Sequence, residues 1–328
     1  MPVNVYITVD TEHSIGGAFR NPSLKPVGND KRIFGRMGGK EYGIPLIMDI
    51  AGSHGIPLTF FVEVLNHHYF GSGESREVCE YILRRGHDVQ LHLHPGFLNF
   101  TLANPAEKKF SDSMSAYDLG AQTDHIGRGK ELLTQYCGRP PAAFRAGNFA
   151  ANLNTLRALK ANGLFIDSSY NQASSVSTSG ITRKNLNDLA MIEGICEFPI
   201  TTFLEKIPIL GERFKSLDIN GVSFDEMKAV LTKAVQQRGP ANIVIVLHSF
   251  SFIKARDPQY VRCARNRQAI ARFKNLCRFI GENRDRLVPR QFGQAGESLA
   301  IPPEEAPAVF PAVPWRLSVR RYFQQAFG

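Results

Sequence analysis

The sequence predicts an α/β protein built as a single β/α barrel. Short apolar runs alternate with helical stretches, seven or eight such units fit within about 290 residues, and polar side chains collect where the apolar runs end. Alternating strands and helices favour parallel pairing through right-handed crossovers, and the number of units suits one barrel better than two open sheets.

Val3–Val9 reads as the first strand, followed by a Gly-rich stretch over Gly35–Gly43 and a helix near Glu41–His54. Leu58–Val62 is a second strand and Ser75–Arg85 a helix. Asp88–Leu91 begins a third strand that runs into HLHP. Ala116–Tyr136 is a long helix, Ala142–Ala146 a fourth strand and Asn152–Asn162 the helix after it. Leu164–Asp167, Cys196–Thr201 and Asn242–His248 supply strands five to seven, with a helix at Phe224–Arg238 before the last. A strong helix over Asn266–Asn283 and a short strand at Leu287–Phe292 close the domain, which spans residues 1–293. Residues 294–328 read as an extension: an extended segment rich in Pro, Ala and Glu, then a short basic amphipathic helix.

Composition narrows the class. Of 328 residues, 43% are hydrophobic and 21% charged, enough for a substantial core and unlike a disordered chain. No apolar run is long enough to cross a bilayer. The N-terminus lacks a basic n-region and an apolar h-region, pointing to a cytoplasmic protein. Five scattered cysteines without a CxxC pair argue against a disulfide framework or a cysteine zinc site. From Lys254 onward, 14 Lys/Arg stand against 6 Asp/Glu, so nearly all of the net +9 lies in the last quarter. Such a basic face suits a phosphate-linked substrate or peripheral contact with the inner membrane surface. No basic–aromatic stripe indicates nucleic-acid binding.

In β/α barrels the C-terminal strand ends form the active face. Asp10 and Glu12 end the first strand here, His92 and His94 the third, Arg145 the fourth, Asp167 the fifth and His248 the seventh. Residues i and i+2 of a strand share a face, so His92 and His94 project together and can hold one metal ion. Asp10 and Glu12 are paired by the same rule, which allows one carboxylate to bind metal while the other serves as a base. Arg145 offers a fixed, permanently charged donor fork, and His248 a side chain suited to acid–base work.

In this order, TVDTE, GHDVQLHLHP, FRAGNFAANLNTLRAL, DSSY and VIVLHSF resemble the polysaccharide deacetylases, the NodB-homology group or carbohydrate esterase family 4, over roughly Pro2 to Phe292. The resemblance implies a distorted (β/α)7 barrel. It implies Asp10 as catalytic base, His92 as a metal ligand, Arg145 orienting the base, and His248 as catalytic acid with Asp167 orienting it. Two positions depart from the family. Thr11 stands where a metal-binding Asp is usual, so the ligand role moves to Glu12, and Gly96 stands where the second histidine is usual, so that role moves to His94. Tyr170 falls at an aromatic groove position, and Asn148 and His13 are further candidates to contact substrate. The expected cofactor is a divalent metal, most simply Zn²⁺, and the expected reaction is removal of acetyl groups from an N-acetylated sugar. Two other readings stay open: an amidase acting on a small linear or cyclic amide, and a glycan-binding relative with a degenerate site.

Overall fold

The computed structural model describes residues 2–174, 179–182, 185–208, 211–297 and 308–327. Its main elements are β1 (Val3–Thr11), α1 (Ile44–Gly52), β2 (Thr59–Glu63), α2 (Ser72–Arg84), β3 (Asp88–Leu93), α3 (Leu119–Cys137), β4 (Ala143–Ala146), α4 (Leu153–Ala161), β5 (Ile166–Asp167), β6 (Ile195–Glu197), β7 (Thr202–Ile207), β8 (Gly211–Ser216), α5 (Phe224–Val235), β9 (Asn242–His248), α6 (Arg267–Glu282), β10 (Leu287–Arg290), β11 (Ala312–Val313) and α7 (Trp315–Phe327). Of the strand expected at Cys196–Thr201, only Cys196 and Glu197 are in a strand, the short β6; residues 198–201 are irregular and β7 begins after them at Thr202.

Seven strands run parallel in the order β6-β5-β4-β3-β2-β1-β9, and β10 adds to the lower half of β1. The two ends of this curled sheet are joined by single hydrogen bonds rather than a full ladder. Thr201 N–H donates to Val244 O at 3.1 Å, Ile219 N–H to Val246 O at 3.2 Å, and Val246 N–H to Leu217 O at 3.0 Å. The result is the distorted barrel expected from the sequence.

Side-chain alternation sorts the strands into two layers. Val5, Ile7 and Val9 of β1, Leu91 and Leu93 of β3, and Ile243, Ile245 and Leu247 of β9 pack outward in the large core with α1, α2, α5 and α6. Tyr6, Phe61, Val244, Val246, Phe198 and Phe292 form a separate inner cluster. Tyr6, Phe198 and Phe292 make mutual ring contacts with centroids 4.8–5.2 Å apart, and Phe61 meets Phe292 at 5.3 Å. This parity turns Thr8, Asp10 and Glu12, and likewise His92, His94, Arg145 and His248, to the inside.

Helix ends are locally determined. Asn152 with Thr155, and Ser223 with Glu226, form reciprocal capping boxes for α4 and α5, each worth ~1 kcal/mol. Glu226 has a second role, in anchoring the C-terminal helix. Ser318 Oγ donates to it at 2.8 Å and Arg321 Nε at 3.0 Å, while Arg321 Nη2 also meets Glu205 of β7. Arg321 is 2% exposed. The short basic helix read from the sequence therefore packs against the body, with β11 pairing to β7. Part of the expected Pro-rich segment, residues 298–307, lies outside the described residues. No helix among the described residues is long and apolar enough to cross a membrane.

Candidate metal centre

The centre lies at the C-terminal end of the barrel strands. Glu12 follows β1, His92 lies in β3, and His94 follows β3. One ligand atom from each falls within 4.8 Å of the others. His94 Nε2 is 2.6 Å and His92 Nε2 3.7 Å from Glu12 Oε2. Two donors each about 2.0–2.1 Å from one tetrahedral ion lie ~3.3 Å apart, a spacing these two distances bracket. The short His94–Glu12 approach is not aligned as a hydrogen bond, and His94 Nε2 is a buried nitrogen with no hydrogen-bond partner among the described residues. Converging lone pairs on a carboxylate and two imidazoles are the donor set of a transition-metal ion, so these residues fit one.

The outer partners fix the ligands. The Arg145 carbonyl only accepts, so His92 Nδ1–H donates to it at 2.8 Å and Nε2 is left as the free lone pair. His94 Nδ1 lies 2.9 Å from Asp112 Oδ2, whose carboxylate also accepts from Gly96 N–H and Asn148 Nδ2, each at 3.0 Å. Burial disfavours charge on Asp112, yet His94 and these donors hold its carboxyl below the usual range. Burial would likewise lower His94, but Asp112 and Glu12 outweigh it and hold the imidazole well above its ordinary value. Burial raises Glu12, while His94, His92 and Arg32 pull it well below. The cluster is thus a net acceptor of positive charge. Gly147 closes one side, because a Cβ there would lie 2.6 Å from His94 Cε1.

Beneath the centre, Arg145 is wholly buried and fully engaged. Its Nη1 meets Asp10 Oδ1 at 2.5 Å and Thr8 Oγ1 at 3.0 Å, Nε meets Ser168 O at 3.0 Å, and Nη2 meets Ser168 Oγ at 2.9 Å. The guanidinium also sits 4.1 Å over the Phe61 ring. His248 pairs directly opposite Asp10 in the β1–β9 register, and its ring lies against Phe250 with centroids 5.0 Å apart and planes tilted by 43°. Asn148 sits at the rim in a left-handed conformation, φ 56°, as does Phe149 at 58°.

Three sequence expectations are corrected. Asp167 does not orient His248: it alternates with the inward-facing Ile166 and Ser168, so its carboxylate turns outward. There it accepts from Ser169 Oγ at 2.7 Å and lies against Glu197. Burial and the Asp167 charge push Glu197 well above the usual carboxylate range. His13 does not line the site. Its side chain is 2% exposed, and Nε2 lies 2.9 Å from both Asn29 Oδ1 and Glu74 Oε2, tying the loop after β1 to α2. Tyr170 is 4% exposed and packs in the main core, with its hydroxyl bonded to Gln172. It presents no groove face.

Three residues escaped the sequence reading. Asp112 lies in a loop and Arg32 in a five-residue π-helical turn, Asn29–Ile33, both without a periodicity that would mark them. Arg32 Nη2 donates to Glu12 Oε1 at 2.9 Å, with the guanidinium 3.2 Å over Phe250 and bonded to the Tyr260 hydroxyl. Glu63, by contrast, ends β2 on the inward face opposite His92, where the strand-end rule would have found it. Burial raises its carboxyl to about 8.

No family model matches the sequence, and a search of the curated proteins returns no match. Solved structures do align. A candidate polysaccharide deacetylase from Mycobacterium smegmatis superposes with a TM-score of 0.52 at 15% identity, covering 90% of this chain and 88% of that one. Puue allantoinase superposes with a TM-score of 0.50 at 12% identity, covering 90% and 92%. The 4-alpha-glucanotransferase of Thermococcus litoralis reaches 0.53 at 9% identity, covering 95% of this chain but 42% of that one. At these identities the likeness is one of fold.

Proposed function

We propose that the chain is a divergent polysaccharide deacetylase, a metal-dependent hydrolase that removes acetyl groups from an N-acetylated sugar. The observation that carries this reading is the convergence of Glu12, His92 and His94 beside an Asp10–Arg145 pair, with His248 on the adjoining strand. Three protein ligands leave room for water and substrate, the pattern of a catalytic rather than a structural site. The fold likeness to the Mycobacterium smegmatis protein supports the same assignment.

A divalent cation, most simply Zn²⁺, would be held by Glu12, His92 and His94 and would supply Lewis acidity toward an acetyl carbonyl. The other residues supply the proton chemistry. Asp10 accepts a proton from the attacking water. Arg145 gives Asp10 a fixed counter-charge and, through Thr8 and Ser168, a fixed orientation. His248 delivers a proton to the departing sugar nitrogen, so amine and acetate leave without a covalent enzyme intermediate. Asn148 stands at the rim, placed to contact the sugar.

Acetate release from a panel of N-acetylated sugars, run with metal analysis of the same protein, tests the proposal. Bound metal in about one equivalent per chain, with release abolished by chelator and restored by Zn²⁺, is expected. Activity that survives complete metal removal would refute it. Including small cyclic amides in the panel separates the amidase reading, for which the same base and acid would also serve.

A further inference from the structure

Two short segments, residues 30–41 and 253–267, carry nine Lys/Arg against three Asp/Glu, two-thirds of the net charge of the whole chain. They are distant in sequence, and the fold brings them together at the mouth of the barrel. Lys31 Nζ donates to Gln259 O at 3.1 Å, Arg32 bonds to the Tyr260 hydroxyl, and Ser249 Oγ meets Arg32 O at 3.3 Å. Between them lies a cavity of about 380 Å³ lined by Lys31, Arg36, Gly38, Tyr260 and Cys263. That volume is in the range of small-ligand sites, ~300–1,000 Å³.

This cavity is coupled to the metal centre by one guanidinium. Arg32 reaches Glu12 on one side and Tyr260, a wall of the cavity, on the other. Tyr260 is held there in a left-handed conformation, φ 55°, by a turn in which the Asp257 carboxylate accepts three backbone N–H bonds. A strained residue fixed at a cavity wall is a mark of a built site. Arg36 is matched by Asp30 and Glu41. With Arg32 on Glu12, the surplus charge comes from Lys31, Lys40 and residues 253–267, where five Lys/Arg stand against one carboxylate, Asp257.

We infer that this basic rim and cavity form a subsite for the phosphate-bearing part of the substrate, so that the acetylated sugar over Glu12, His92 and His94 is a phosphate-linked one. The sugar half rests on the deacetylase reading; the anion half does not. Nucleoside-diphosphate and lipid-diphosphate sugars share the required chemistry.

The test uses the full chain loaded with Zn²⁺. Calorimetry with inorganic pyrophosphate compares wild type, Lys31→Glu and Arg84→Glu, the last a charge reversal on the outer helix α2. Pyrophosphate should bind wild type and Arg84→Glu alike and Lys31→Glu about tenfold or more weakly, the loss expected for one charge-assisted contact. In a second arm, KM for acetate release is compared among a nucleoside-diphosphate N-acetylhexosamine, a farnesyl-diphosphate N-acetylhexosamine and a neutral N-acetylhexosamine glycoside. At least one diphosphate substrate should show the lower KM, an advantage that Lys31→Glu removes, and the arm showing it identifies the source. Equal weakening in both variants, or no pyrophosphate binding, overturns the subsite. Selective pyrophosphate binding without acetate release from any substrate keeps the subsite and overturns the deacetylase reading. Acetate release indifferent to the phosphate and to Lys31→Glu does the reverse.

Discussion

No sequence pattern marks Asp112, yet through His94 it should govern metal affinity. Its carboxylate serves three donors at once: His94 Nδ1 at 2.9 Å, Gly96 N–H at 3.0 Å and Asn148 Nδ2 at 3.0 Å. Asp112→Asn keeps the shape but removes the negative charge and turns one acceptor into an NH₂ group, which must then oppose one of those donors. His94 loses the partner that fixes its tautomer and strengthens its donor nitrogen. Outer partners of this kind contribute about 10–100-fold in metal affinity, or ~1.4–2.7 kcal/mol. Zinc competition against a chromophoric chelator measures the change directly, and thermal unfolding of the chelator-treated protein separates it from loop packing. A zinc affinity within twofold of wild type would refute the reasoning. So would a fall in metal-free stability large enough to account for the whole loss.

Asp10→Asn should keep its metal and lose ~10²–10⁴ in kcat, read by acetate release beside metal analysis; full activity removes Asp10 as the base. Gly147→Ala should weaken zinc binding while leaving the circular dichroism unchanged, because its Cβ would displace the His94 ring. Glu63→Gln should flatten the pH dependence of stability in metal-free protein. The folded state keeps the Glu63 proton up to about pH 8, whereas the unfolded chain releases it near 4.5. Stability from this group is therefore lost as pH rises, by ~2–3 kcal/mol between pH 5 and 7. Parallel denaturation curves for the two proteins across that range would contradict the assignment. Arg321→Met leaves Glu226 buried without its cation and Glu205 with Arg213 alone, and should cost about 3–5 kcal/mol in chemical denaturation, with α7 becoming sensitive to protease. A loss under 1 kcal/mol would show the latch to be incidental.

Strand parity made much of this architecture readable in advance. Val5, Ile7 and Val9 alternate with Tyr6, Thr8 and Asp10, and the same period of two carries Glu12, His92, His94, Arg145 and His248 to one interior. That rule depends only on local backbone geometry. Asp167 ends its strand but alternates with the inward-facing Ile166, so a strand-end position alone does not bring it to the centre. His13 and Tyr170 were misplaced for a different reason: loop paths after a strand are set by tertiary contacts, here Glu74 and Asn29 around His13. Asp112 and Arg32 share that origin. Each reaches the centre from a connecting segment whose course no short-range pattern encodes. The C-terminal helix was legible as amphipathic and basic, but its mooring required Glu205 and Glu226, over 90 residues away.

The aromatic cluster of Tyr6, Phe61, Phe198 and Phe292 below Arg145 makes the barrel a vessel with a sealed base. Phe61, Phe198 and Phe292 have no exposed surface, whereas Glu12 and His94 at the strand ends keep 13% of their side-chain surface exposed. The Asp10–Arg145 pair therefore works in a medium of low polarizability, where a fixed charge is felt more strongly than in water. In the proposed reaction, water, proton and acetate would pass the same strand-end opening as the sugar. Occupancy of that opening by a bulky substrate would meter the traffic of all three.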